Sequence, residues 1–429
     1  MQGSIIFTCI LFFALGLFSY NLWKIVRNIR LGKSKNRFDD PLKRTIILLK
    51  VAFGQTKLFA RPVSGILHAL VYWGFLVITI GTLEMMIDGV FGVERSFRVL
   101  GGFYDIATAS GDVMAGLVLV SCLLFMFRRL FLKIKRFSGK EMKKSSSIDA
   151  IIALVIIVFL MISLLTMNIG YIGIHQGDIV GSFPISNFLL SYFDNWDLHL
   201  LYNISWWTHI MLVLIFLNEL PYSKHFHVVI SIPNVYFSNI EHLGKIENLA
   251  SVTSEVKLMM DPNTDPYATS PTDIPTPESF GAKDVTDLNW VQLMNAYSCT
   301  ECGRCTSECP ANQTGKLLSP RKIMMDTRQR LKEVGKNIDK HGKDYDDNKS
   351  LLNDYISTEE LWACTTCNAC TQACPLNIDP LSIIVDLRRY LVMEQSAAPT
   401  ELNMMFTNVE NNGAPWQFPA ADRLNWKDE

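Results

Sequence analysis

Five stretches in the first 220 residues of this 429-residue chain are apolar for about 20 residues each, the length of helix that crosses a bilayer. They run from Ser4 to Trp23, Val63 to Met86, Ile106 to Phe127, Ala150 to Met167 and Leu200 to Leu220. A backbone in lipid must satisfy its own hydrogen bonds, so residues 1–240 are predicted to form a five-helix transmembrane bundle. The first stretch has no basic residues ahead of it and no A-x-A cleavage site, while Lys24, Arg27 and Arg30 follow it. It therefore reads as a retained helix with its N-terminus outside, not as a secretory signal.

The distribution of charge supports that topology. The chain as a whole has a formal net charge of -1, which gives no reason to expect nucleic acid or another polyanion as a partner. Between Lys24 and Arg61 there are eleven basic residues and two acidic ones, and between Arg128 and Lys144 eight basic residues against Glu141 alone. The alternate loop, Asn168 to Asn203, has no Lys or Arg and carries Asp178, Asp194 and Asp197. Both basic loops are predicted to be cytoplasmic, and a fifth crossing leaves everything after Leu220 on that side. Such a chain belongs in a bacterial inner membrane.

Residues 241–283 read as a linker, with Thr, Ser, Pro and Asp dominating Ser251 to Phe280 and no apolar periodicity there. A second domain is expected over 284–395, followed by a C-terminal tail at 396–429. Pro320 to Val334 and Asp379 to Met393 show apolar residues at helical spacing, and no alternating stretch argues for a sheet. The fold class expected is all-α throughout.

Ten cysteines are present, of which Cys9 and Cys122 lie singly in apolar stretches and read as buried free thiols. The others form two runs, Cys299-Thr-Glu-Cys302-Gly-Arg-Cys305-Thr-Ser-Glu-Cys309-Pro and Cys364-Thr-Thr-Cys367-Asn-Ala-Cys370-Thr-Gln-Ala-Cys374-Pro. Each is CxxCxxCxxxCP, spacing that places three thiolates on three corners of a cubane. Zinc is the competing reading, but its knuckles come as separated CxxC pairs. In two-cluster ferredoxins the fourth cysteine of each run ligates the other cluster. Cys299, Cys302, Cys305 and Cys374 are thus assigned to one [4Fe-4S] cluster, and Cys364, Cys367, Cys370 and Cys309 to the second.

Histidine inside a membrane span marks function by default, and a b-type haem takes two. His68 lies in the second stretch, seven residues after Arg61, and His209 lies within the fifth. His225 and His227 follow Pro221. His209 and His227 are eighteen residues apart, five turns, and share a helix face if the helix continues through Pro221. Both therefore stand as the possible second ligand beside His68. His175 and His199 read as surface residues, and Glu84 as a group solvating the outer end of its helix.

The segment Pro221-Tyr-Ser-Lys-His-Phe-His227 resembles the end of the last helix in the cytochrome b subunit of respiratory nitrate reductase. That resemblance implies that His227 pairs with His68 around the haem nearer the cytoplasm. His209 matches the histidine of the outer haem, but the partner position ten residues after His68 holds Ile78. One haem is therefore expected, with His209 left as a quinone-proximal group whose imidazole can exchange a proton near neutral pH.

A cytochrome b of this type followed by a two-cluster domain resembles the membrane heterodisulfide reductase and electron-transfer-flavoprotein:menaquinone oxidoreductase families, whose helical ferredoxin domain is also matched by Pro320-Arg321 and Leu387-Arg388-Arg389. The resemblance implies an oxidoreductase passing electrons between a cytoplasmic partner and the quinone pool, menaquinone above all, through two clusters and haem b. The partner would be an electron-transferring flavoprotein or a CCG-domain iron–sulfur subunit, since no CCG domain stands in these residues. A quinol-oxidising heterodisulfide reductase and a membrane redox sensor are the alternatives. A transporter is disfavoured by the lack of paired charges or a broken helix within the spans.

Overall fold

The computed structural model describes residues 2–132, 134–137, 139, 141–262, 279–417 and 419–428. Among these the fold is helical, without a ladder of strands; two isolated bridges, Lys33 with Asn289 and Leu352 with Ile356, are the β pairings. Five helices are long and apolar enough to cross a membrane: α1 Gln2–Ile29, α3 Pro62–Phe91, α4 Gly102–Phe131, α5 Lys144–Ile174 and α7 Leu198–Glu219. Two short helices, α2 Pro41–Leu48 and α6 Pro184–Leu189, lie between them.

Local sequence sets several of the ends. Pro62 takes the first turn of α3, where its missing N–H costs nothing, and Gly92 closes the helix at φ +65°. Asp197 caps α7 by accepting from Leu200 N at 3.0 Å. Helix α5 packs along α4 and α7, α4 along α3, and α1 against α3 and α7, so the bundle closes on itself. Without a hydrophobic driving force in lipid, close approach depends on small residues. A Cβ at Gly170 of α5 would lie 2.9 Å from the Tyr202 Cβ of α7. Asp112 of α4, buried, draws α5 and α6 together by accepting from Asn168 Nδ2, Ile185 N and Ser186 N.

Beyond α7 the chain breaks where continuation was one expectation. Pro221 cannot donate to the helical ladder, and 3-10 turns at Leu220–Tyr222 and Lys224–Phe226 lead into a separate helix, α8 His227–Tyr236. The linker holds a helix, α9 Ala250–Met260, which its polar composition hid; residues 263–278 lie outside the described residues. The second domain follows with α10 Trp290–Ser298, α11 Arg304–Glu308, α12 Pro310–Gln313, α13 Pro320–His341, a kinked turn α14 Leu351–Asp354, α15 Thr358–Trp362, α16 Ala369–Ala373 and α17 Pro380–Arg389. The tail carries a further helix, α18 Thr400–Asn412. Cys122 is buried as expected, whereas Cys9 lies exposed on the apolar outer face of α1.

The cysteine-bearing domain does not hang from a tether. Ile25 of α1, with Leu220, Phe226 and Ile230 after α7, belongs to the same buried core as Leu293, Tyr297, Ile323 and Leu387. Polar contacts cross the same boundary: Asn28 Nδ2 donates to Tyr297 Oη at 3.0 Å, Trp290 Nε1 to Lys35 O at 2.9 Å, and Asn234 Nδ2 to Leu376 O at 2.8 Å. One end of the bundle is thus the floor of the second domain.

Candidate cofactor sites at the junction of bundle and cysteine domain

The two cysteine runs share one backbone. In each, the residues flanking the second cysteine are left-handed: Glu301 (φ 57°) and Gly303 (φ 72°) in the first, Thr366 (φ 55°) and Asn368 (φ 59°) in the second. Each then enters a five-residue helix, α11 or α16, and leaves it at the fourth cysteine in an extended conformation, Cys309 at ψ 119° and Cys374 at ψ 122°. Left-handed backbone at a β-branched residue such as Thr366 costs of order 1–3 kcal/mol and persists where the surroundings demand it. Helices α11 and α16 pack on each other, which brings the end of each run to the start of the other.

Cys299, Cys302, Cys305 and Cys374 line one cavity of about 400 Å³, with Gly303, Arg304, Arg321 and Met324. The thiols of Cys302 and Cys299 act electrostatically on Cys374, while Cys364 feels Cys309 and Cys367. Among the described residues, no three His, Cys, Asp or Glu side chains converge closely enough to share a single metal ion. A Cys₄ zinc site needs that convergence, whereas a cubane holds its thiolates further apart. Cys299 is buried, and Cys367 is exposed.

Arginines hold both runs. Arg328 of α13 donates to Cys299 O at 2.7 Å, and Arg388 of α17 donates to Cys364 O at 2.5 Å and covers the Trp362 ring. Arg321, buried, bonds Glu141 Oε1 at 2.6 Å and Arg136 O at 2.5 Å, tying the first cavity to the α4–α5 loop. Arg304 donates to Lys57 O at 3.1 Å, and Arg61 to Ser307 Oγ at 2.7 Å, fastening the same run to the start of α3. Burial pushes the Arg136 guanidinium down to about 10 against the pull of the nearby Cys302 thiolate. Among the described residues its Nε and Nη1 are buried without a hydrogen-bond partner.

The structure brings His68 and His227 together and leaves His209 apart. The imidazole centroids of His68 on α3 and His227 at the start of α8 are 6.3 Å apart, with planes inclined by 40°. A metal held axially by two imidazoles, about 2 Å from each nitrogen, spaces ring centres by about 6 Å. His227 Nδ1 faces Lys224 O at 3.2 Å, a bond to the other ring nitrogen of the kind that orients a metal-bound histidine and leaves Nε2 for the metal. His68 Nδ1 and the Tyr72 hydroxyl, one turn further along α3, are buried without partners. These residues fit a bis-imidazole haem. His225 neighbours His227 but is engaged through Nδ1 by Ser223 Oγ at 2.8 Å, which in turn bonds Asp149.

Residues 298–378 match the family of the 4Fe-4S dicluster domain. The "Probable iron-sulfur-binding oxidoreductase FadF" of Bacillus subtilis is 30% identical across 100% of this chain and 62% of its own length. The "EtfAB:quinone oxidoreductase" of Syntrophomonas wolfei is 26% identical across 98% of this chain and 59% of its own. A component of the "Ferredoxin/F(420)H(2)-dependent CoB-CoM heterodisulfide reductase" of Methanosarcina acetivorans is 33% identical across 25% of this chain and 52% of its own. All three are named as oxidoreductases or reductases, the first of them as iron-sulfur-binding. The chain spans about three-fifths of the length of the two relatives that it matches from end to end. No solved structure matches it.

The remaining expected residues fall elsewhere. His209 is buried in the middle of the bundle, its Nδ1 3.0 Å from Leu160 O and 3.2 Å from Ser163 Oγ. His199 is exposed, and His175 lies at the end of α5 beside Glu94. Glu84 does not solvate a helix end: α3 runs two turns beyond it, and the carboxylate is buried, accepting from Phe97 N at 2.9 Å and Tyr104 Oη at 3.0 Å. Tyr72, Arg136 and Arg328 carried no signal in the sequence beyond their residue type, because their importance comes from what folds against them.

Proposed function

We propose that this chain is the electron-transfer part of a membrane quinone oxidoreductase. In this reading Cys299, Cys302, Cys305 and Cys374 hold one [4Fe-4S] cluster, Cys364, Cys367, Cys370 and Cys309 hold a second, and His68 and His227 hold a haem b. The observation that carries it is the juxtaposition at the junction: two cysteine sets seated on the end of an apolar bundle at which two histidine rings stand 6.3 Å apart. When bound, these groups supply one-electron chemistry at potentials that burial and hydrogen bonding tune.

The protein's own residues give the arrangement a direction in space. The set containing exposed Cys367 faces outward and is the natural contact for a soluble partner, whereas the set containing Cys374 lies against the bundle, where Lys57 Nζ meets Cys374 O at 3.3 Å. Arg304 and Arg61 hold that set to the first turn of α3, seven residues before His68. The partner is an electron-transferring flavoprotein or a CCG-domain subunit, a reading supported by the printed name of the Syntrophomonas relative. The membrane is the bacterial inner membrane, with the N-terminus outside and the cysteine domain in the cytoplasm, on the strength of the basic loops.

Iron, acid-labile sulfide and haem analysis of the detergent-purified chain tests this, read with reduced-minus-oxidised spectra of His68→Ala, His227→Ala and His209→Ala. About eight cluster irons, and one b haem that is lost in the first two variants and kept in the third, is the expected result. Loss of haem only in His209→Ala overturns the ligand pair, and absence of haem from the wild type leaves a ferredoxin on a membrane anchor.

A further inference from the structure

The bundle has a second cavity, at the end remote from the cysteine domain. It lies among α3, α4, α5 and α7, has about 650 Å³ of empty space, and includes His209, Ile78, Gly81, Glu84, Tyr104 and Gly111 in its lining. A Cβ added at either Gly81 or Gly111 would meet nothing within 4 Å, so the walls from α3 and α4 leave open space.

Its lining is largely apolar but also holds Thr82, Thr108, Asp112 and Asn168, the last two hydrogen-bonded to each other at 3.2 Å, and it carries polar groups toward two ends. At the deep end is His209, whose Nδ1 is engaged by Leu160 O and Ser163 Oγ, so that Nε2 carries the lone pair. At the other end Glu84 accepts from Tyr104 Oη, and Arg95 lies 3.4 Å from the same hydroxyl while its guanidinium covers the Tyr171 ring at 4.2 Å. Asp88 fixes the loop that carries Arg95 by accepting from its backbone N–H at 2.8 Å. Along α5 the lining runs from Leu164 to Asn168, four residues or about 6 Å, one turn beyond Leu160, on which His209 is anchored. Ile78, which faces the same space, cannot bind a metal opposite His209.

We propose that this cavity binds the head group of a lipophilic benzoquinone or naphthoquinone, with His209 at one ring oxygen and the Glu84–Tyr104–Arg95 cluster toward the other. The inference rests on the quinone reading above and gives it a place, in the half of the bundle away from the iron–sulfur domain. A planar ring with an oxygen at each end matches a largely apolar cavity that carries a polar group toward each of two ends. On reduction the ring takes two electrons from the iron–sulfur side and one proton at each oxygen; on oxidation the quinol returns the same two electrons and two protons. His209 Nε2 accepts a hydrogen bond from the quinol hydroxyl, and Glu84 lies on the side from which protons reach water.

Equilibrium binding of menadiol, the quinol of menadione, to the dithionite-reduced full chain in detergent, followed by calorimetry, tests the site. Gly111→Leu, which fills the space from α4, and His209→Gln, which replaces the imidazole, are each expected to weaken binding at least tenfold while haem and iron contents stay at wild-type values. Gly81→Leu fills the same space from α3 and serves if the α4 variant does not assemble. If the variants bind menadiol as the wild type does, the cavity is not the quinone site, although the quinone reading stands. If the wild type binds none, that reading falls with it. If His209→Gln loses haem, the cavity holds a haem and the proposal is overturned.

Discussion

The imidazoles of His68 and His227 stand 6.3 Å apart across the seam between the membrane bundle and the cysteine domain. They come from helices separated by most of the bundle's sequence, and the pairing exists because the chain breaks after α7. The turn at Ser223 and the new helix beginning at His227 place that ring at the end of the bundle that α3 enters seven residues before His68.

The crossing of the two cysteine runs predicts which substitutions behave alike. Cys374→Ser should abolish the same paramagnetic cluster signal as Cys302→Ser, and Cys309→Ser the same signal as Cys364→Ser. Each should lower the cluster iron from about eight per chain to about four, because removing one thiolate costs one cubane. Pairing by run, with Cys374→Ser matching Cys367→Ser, would show that each run holds its own cluster.

The left-handed positions around the second cysteine of each run separate strain from need. Gly303 at φ 72° has no room for a side chain, since a Cβ there would lie 2.6 Å from Arg321 Nη1 and 3.0 Å from Arg136 O. Gly303→Val is therefore expected to empty the first site, read as loss of about half the iron. Thr366→Gly removes a left-handed β-branched residue and should raise the thermal midpoint of the protein by relieving about 1 kcal/mol. A lower midpoint would mean that the threonine side chain contributes more than its backbone costs.

Arg330 is nearly buried between two carboxylates, with Nη2 2.7 Å from Asp284 and Nη1 2.6 Å from Asp347. Arg330→Ala strands both acids and should cost about 3 kcal/mol of stability at neutral pH, measured by urea denaturation. The Arg330 hydrogen bond holds Asp347 below the usual carboxylate range. Its stabilisation is accordingly complete above the unfolded value of about 3.9 and fades as pH falls through the lower folded value. The difference between wild type and variant should therefore narrow under acid, and a gap constant down to pH 2 would contradict the linkage.

Helices α5 and α7 meet at Gly170. A side chain there cannot be accommodated beside Tyr202, so Gly170→Leu should separate the helices, lower the thermal midpoint in detergent by an amount corresponding to about 1–3 kcal/mol and disturb the anchoring of His209 on Leu160. Unchanged stability would mean that α7 slides to make room.

What could be read from the residues alone follows the range of the physics involved. Five spans and the all-helical class are local consequences of apolar length and of a backbone that must bond to itself in lipid. The cysteine spacing is likewise local, because three thiolates on one loop face one cluster whatever lies around them. His68 stood out because an imidazole in a span is costly unless it is used.

Which of His209 and His227 stands beside His68 was not a local matter. It turned on whether a helix continues through Pro221, and the 3-10 turns there, packed on the floor of the second domain, decided it. Glu84 looked like a helix end from its position, but contacts with Phe97 and Tyr104 across a loop bury it. The cavity beside it has no counterpart in any stretch of sequence, since its walls come from four helices, with Gly81 and Gly111 among the lining residues. Composition and spacing determined which chemistry this chain carries; where that chemistry meets the membrane was decided by packing between segments hundreds of residues apart, which no local pattern encodes.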